Sequence, residues 1–245
     1  MRRFPCAVAL MLAGGLCLPI IAQQQRSATL VISNVTVIDV ATGRMEPDMS
    51  VVVDSDRIVA VEKSQRYTPP RGGQNVDGKG RFLVPGLRDM HVHLSYARAS
   101  ALPTLVANGV TTVRDMGSKL SELDEWRGQI AGGTLVGPRI LRAGPMLNAR
   151  EFNAYQLAVA NDAEARVAVR TLAKVGVDFI KLHRATSREA YFAIADETKR
   201  LSLPFAGHVP TTVTPAEASD AGQTTLEHTE TLFEGTFLSA AKDKS

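Results

Sequence analysis

From residue 86 onward the chain alternates apolar, β-rich runs with helix-like runs, and this alternation limits the possible folds more than any other feature. Strands are expected at 87–94, 110–115, 139–143, 178–183, 205–208 and 224–228, with helices near 97–108, 119–130, 162–175, 187–201 and 215–221. Gly109, Gly176 and Gly222 stand where helices would end. Such a pattern means parallel strands joined by crossover helices. A doubly wound sheet would carry a glycine-rich first turn, but the first strand here runs into His93-Leu-Ser-Tyr96 without a glycine cradle. A (β/α) barrel instead gathers its chemistry at the carboxyl ends of many strands. Residues 29–84 have a different texture, with short strands and polar turns. Asn34 reads as a bulge in the first of these strands, and Ala41-Thr-Gly-Arg44, Asp54-Ser-Asp56 and Asp77-Gly-Lys-Gly80 read as turns.

The histidines favour the barrel. All five, His91, His93, His183, His208 and His228, fall in or at the end of an expected strand. His91 and His93, two residues apart, share one face of a strand. A single strand histidine is more often packed and hydrogen-bonded than ligating, but placing every histidine at a strand's carboxyl end is hard to explain as packing. Converging neutral imidazoles make a strong metal site. Phe179-Ile-Lys181-Leu-His183 adds a lysine inside an apolar strand, where lysine rarely lies buried without a partner. It either snorkels to the rim or is carbamylated by carbon dioxide, becoming an anion whose two oxygens could bridge two cations. His183 shares the face of Lys181 and is the candidate substrate-binding residue, or a bystander. Arg114, Asp115 and Arg142 would line the pocket or form structural ion pairs, and for Asp115 the structural role is preferred. Glu227, beside His228, is expected to face away from it, into packing or a helix.

Residues 1–22 read as a secretory signal. Arg2 and Arg3 precede an apolar stretch from Cys6 to Ala22 that is broken by Gly14, Gly15 and Pro19 and is too short to prefer spanning a bilayer. Cleavage after Ala22 would remove both cysteines, leaving no disulfide, thiolate ligand or cysteine nucleophile. The formal charge of +3 would fall to about +1, with no basic stripe for nucleic acid. The expected molecule is exported, periplasmic or secreted, and free of the membrane once the signal is gone.

The run Val76-Asp77-Gly-Lys-Gly80-Arg-Phe-Leu-Val-Pro85-Gly86-Leu-Arg-Asp89-Met-His91-Val-His93 resembles the amidohydrolase superfamily at the junction of its small β-sandwich and first barrel strand. Phe179-Ile-Lys181, Ala206-Gly-His208-Val and Leu226-Glu-His228 are similar to its later ligand strands, most nearly those of the imidazolonepropionase and prolidase-like branch. After the signal at 1–22, the resemblance implies a small β-sandwich domain at 23–85 and a partial TIM-type (β/α) metal-dependent hydrolase barrel at 86–245, with about six of eight strands. It also implies two divalent metal ions, zinc by family habit. His91 and His93 would hold the first, His208 and His228 the second, and Lys181 would bridge them as N6-carboxylysine. A metal-bridging hydroxide would then cleave C–N bonds in a small amide, cyclic amide or dipeptide substrate.

The segment 86–245 holds 160 residues, against about 250 for a typical eight-stranded barrel. Six strands are readable, and the aspartate that the family carries on its eighth strand has no counterpart, so no catalytic residue is assignable. The stretch 236–245 reads as the start of a further helix. A C-terminally truncated chain is therefore expected, with weak or no turnover, partial metal binding and a tendency to self-associate.

Overall fold

A computed structural model describes residues 29–68 and 73–228. The proposed signal at 1–22 and the stretch 236–245 lie outside the described residues. The chain divides into two units, with the boundary between Pro85 and Gly86.

The first unit is a five-stranded sheet of β1 (Leu30–Ile38), β2 (Met45–Asp54), β3 (Arg57–Lys63), β4 (Gln74–Asp77) and β5 (Phe82–Leu83), in the order β3-β2-β1-β4 with β5 also on β1. The β1–β2 and β2–β3 pairs are antiparallel, whereas β4 and β5 run parallel to β1. Val31 and Val35 of β1 are buried on one face of the strand, opposite Val52 and Met49 of β2, whose run Met49–Val52 is buried on both faces. The expected irregularity at Asn34 is present. Its φ is +56°, the β1–β2 register shifts between Ile32 and Val35, and its side-chain amide donates to Asp77 at 3.0 Å. Asparagine tolerates this left-handed backbone because its short side chain bonds locally. The described residues of this unit form one sheet, so the expected sandwich appears only as that layer.

The second unit is α/β with parallel strands. It runs β6 (Leu87–Val92), α1 (Leu94–Ala97), α2 (Ala101–Ala107), β7 (Val110–Asp115), α3 (Leu120–Ala131), β8 (Arg139–Arg142), β9 (Met146–Asn148), β10 (Gln156–Ala158), α4 (Asp162–Lys174), β11 (Ile180–Leu182), α5 (Arg188–Arg200), β12 (Phe205–Gly207) and α6 (Pro215–Asp220). One sheet is β6-β7-β8 and the other β10-β9-β11-β12, all pairs parallel. The strand expected at 139–143 is β8, and a further short strand that was not expected, β9, follows Ala143-Gly-Pro145. The one expected at 224–228 is reduced to a single bridge, Leu226 to Gly207.

Capping residues start the helices. Asn161, Ser187 and Thr214 each accept a backbone N–H in the first turn of α4, α5 and α6, and Thr214 forms a reciprocal capping box with Glu217. Gly109, Gly176 and Gly222 follow α2, α4 and α6 with φ of +80°, +73° and +87°, the left-handed turn expected past a helix end. The helix expected at 97–108 is found as the shorter α2, and the unexpected single turn α1 precedes it, ended at Arg98, whose φ is +66°. The buried face of α4, Ala165, Ala168, Val169 and Leu172, keeps helical spacing. It joins Ile180, Leu182, Tyr191, Ile194 and Phe205 in the main core, where each large side chain contributes about 2 kcal/mol by burial.

Candidate metal centre

The carboxyl ends of the strands bring all five histidines together. His91 lies at the end of β6 and His93 just after it. His208 follows β12, and His228 follows the Leu226 bridge. Ring centroids are 5.3 Å apart for His91 and His93, 4.8 Å for His91 and His228, 4.7 Å for His228 and His208, and 4.8 Å for His208 and His183. The imidazoles therefore form a continuous chain. Among the described residues, no three His, Cys, Asp or Glu side chains are grouped so as to hold a metal ion by themselves.

Lys181 belongs to the same neighbourhood. It is the middle residue of β11, fully buried, and its Nζ has no hydrogen-bond partner. Burial pushes its pKa down to about 8, with Glu227 opposing and the Arg114 guanidinium assisting. The snorkelling alternative fails because the amine does not reach water.

The proton positions on three rings follow from their partners. His93 Nδ1 lies 3.0 Å from Gly117 O, and His208 Nδ1 lies 3.3 Å from Leu182 O. A carbonyl only accepts, so both Nδ1 atoms carry the hydrogen. His91 Nδ1 lies 2.6 Å from a carboxylate oxygen of Glu227, with the same consequence. In the neutral state each ring then keeps its lone pair on Nε2, as a ligating imidazole must. Burial lowers the pKa of His91, against the Glu227 hydrogen bond. Burial, followed by the Lys181 charge, lowers that of His208 to about 3. Burial lowers that of His183 as well, and its Nδ1 is enclosed without a hydrogen-bond partner.

Glu227 corrects the sequence expectation. Regular alternation would turn it away from His228, but the segment is held by one bridge and His228 has φ +67°, so alternation does not apply. Its carboxylate accepts from His91, from Arg114 Nη2 at 2.5 Å and from Thr225 Oγ1 at 2.7 Å. Arg114 also donates to Met90 O at 2.8 Å. Asp115 takes the structural role: fully buried, it accepts from Leu94 N, Gly117 N and Ser118 Oγ. Arg142 is structural too, pairing with Asp124 and donating to Val175 O and Gly176 O.

The model of the amidohydrolase family matches residues 82–241. The chain belongs to the amidohydrolase family. A solved prolidase candidate from Bifidobacterium longum is 28% identical with a TM-score of 0.68, over 80% of this amidohydrolase and 52% of that chain. Adenine deaminase 3 of Rhizobium meliloti is 30% identical over 101 residues, 38% of this chain and 16% of the relative. An adenine deaminase of Rubrobacter xylanophilus is 37% identical over 67 residues, 27% of this chain and 11% of the relative. This amidohydrolase thus spans about half the length of the prolidase candidate and a smaller share of the deaminases.

Gly207 sets the spacing beneath the amidohydrolase histidines. Its φ is +134°, and a Cβ there would overlap Leu182 O, lie 2.8 Å from Leu182 N and 3.0 Å from Lys181 Cδ. Backbone atoms cannot yield as a flexible side chain can. Gly207→Ala is therefore expected to cost about 3 kcal/mol, combining backbone strain with overpacking. Chemical denaturation would read this directly, and an unchanged midpoint would refute it.

Proposed function

We propose that this chain carries the metal-binding part of a hydrolase that cleaves C–N bonds in small amides, cyclic amides or dipeptides, on a partial (β/α) barrel scaffold. One observation carries the reading: three imidazoles at strand ends have Nδ1 committed to an acceptor, next to a buried lysine amine without a partner. That donor set fits a binuclear centre. His91 and His93 would hold one divalent cation, zinc by family habit, His208 and His228 would hold the other, and Lys181 would bridge them as a carbamate. Bound there, the two cations would supply Lewis acidity, acidifying water and polarising a carbonyl.

The chain's own contribution is preparation. A lysine whose pKa is about 8 is neutral in about half of the molecules at pH 8. The neutral amine can add to carbon dioxide, forming an N–C bond and releasing a proton. The low pKa of His208 keeps that ring unprotonated at neutral pH, so it has a lone pair to give. His183, its ring tilted 51° against that of His208, is the proposed substrate contact. The signal-like segment at 1–22 supports placing the protein in the periplasm or outside the cell.

The test is uptake of zinc and turnover by the full chain, incubated with bicarbonate and assayed on prolyl dipeptides, cyclic amides and adenine. Two equivalents of zinc are expected, with His91→Ala and His208→Ala each losing metal and any turnover. Zinc content that is the same in both variants as in the wild type would overturn the proposal.

A further inference from the structure

We propose that Glu227 is a positioning residue for His91, fixing the imidazole proton on Nδ1 so that Nε2 is presented to the centre. Its purpose rests on the metal reading above, whereas the geometry behind it does not. One carboxylate oxygen, Oε2, takes His91 Nδ1 at 2.6 Å, and the other, Oε1, takes Arg114 Nη2 at 2.5 Å and Thr225 Oγ1 at 2.7 Å. Arg114 can only donate. It is itself anchored at Met90 O, and its Nη1 donates to Thr225 Oγ1 at 3.1 Å, which leaves the threonine hydrogen for Glu227. Each donor in this relay thus meets an acceptor. The Arg114 and Glu227 side chains are each 10% exposed, so water competes little for these bonds. A carboxylate behind an imidazole selects its tautomer and orientation, and such outer partners affect metal affinity strongly.

The isosteric variant Glu227→Gln makes this testable. It retains one oxygen, and both Arg114 and Thr225 need that oxygen as their acceptor. The amide NH2 is then left facing His91. An imidazole that faces a donor must accept on Nδ1 and carry its proton on Nε2, the atom that would have to bind metal. Glu227→Asp retains two acceptor oxygens and should keep the wild-type proton position.

The experiment is long-range 15N–1H correlation on the metal-free chain with 15N-labelled histidine, paired with zinc titration. In Glu227→Gln the His91 proton is expected to move from Nδ1 to Nε2, and zinc affinity to fall about 10–100-fold. Glu227→Asp is expected to restore both. A Glu227→Gln protein that keeps the proton on Nδ1, or binds zinc as tightly as the wild type, would overturn the inference. A wild-type chain that takes up no zinc would overturn the metal reading, and the proton position in the metal-free variants would then decide the role of Glu227 alone.

Discussion

The Lys181→Met variant is expected to melt higher than the wild type at pH 7 in chelator, while binding less zinc. The wild-type amine is buried without a partner, and its pKa falls from 10.5 to about 8. At about 1.4 kcal/mol per pH unit, that shift corresponds to about 3 kcal/mol by which the charged amine disfavours the folded state. Methionine is unbranched and of similar length, so it can occupy the same channel without that cost. For a domain of this size the gain would raise Tm by about 6–12 °C. The sign of the pH dependence follows from the direction of the shift. Between about 8 and 10.5 the unfolded lysine holds a proton that the folded one has lost, so wild-type stability rises with pH through that window. The advantage of methionine should be full below pH 8, shrink above it and vanish beyond 10.5. Melting curves at pH 7 and at pH 10 measure it. A variant that melts lower at pH 7, or a difference that does not change with pH, would refute the account.

Asp115→Ala is expected to be the most damaging single change away from the histidines. The Asp115 carboxylate is fully buried and accepts from Leu94 N at 2.7 Å, Ser118 Oγ at 2.8 Å and Gly117 N at 3.1 Å. It ties the start of α1 to the turn after β7. Alanine would strand three enclosed donors, each costing about 1–3 kcal/mol, so a total loss of about 4 kcal/mol is expected. The corresponding fall in Tm is about 8–16 °C. Asp115→Asn should lose less, because it keeps one acceptor and sheds a charge that burial disfavours. Thermal unfolding of the two variants provides the comparison, and an alanine variant within 2–3 °C of wild type would sink the argument.

Much of this was legible in the sequence, and the failures have physical causes. Strand β7 and helices α3 to α6 lie close to where apolar periodicity and capping residues put them, because each buries one face: β7 and α3 in the cluster of Val113, Leu123 and Trp126, α4 to α6 in the main core. The three-residue strands β9 and β10 were not legible: Met146-Leu-Asn148 and Gln156-Leu-Ala158 are too short to show a period. The single turn α1 was hidden because Arg98, not glycine, adopts the left-handed turn that ends it. The gathering of histidines was foreshadowed by their placement at strand ends. Glu227 was missed, because two-residue alternation holds only in a paired strand and its segment makes one bridge. The signal that could have found it was its own charge: an acidic residue next to a candidate ligand, with Arg114 ending another strand.

The backbone contact at Gly207 also bears on how this protein could change over generations. With no room for even a methyl group at Gly207, between Lys181 and His208, that point of the floor is closed to gradual tinkering. New substrate preferences would have to arise in the connecting segments above it, so descendants with different diets should still share the same foundation.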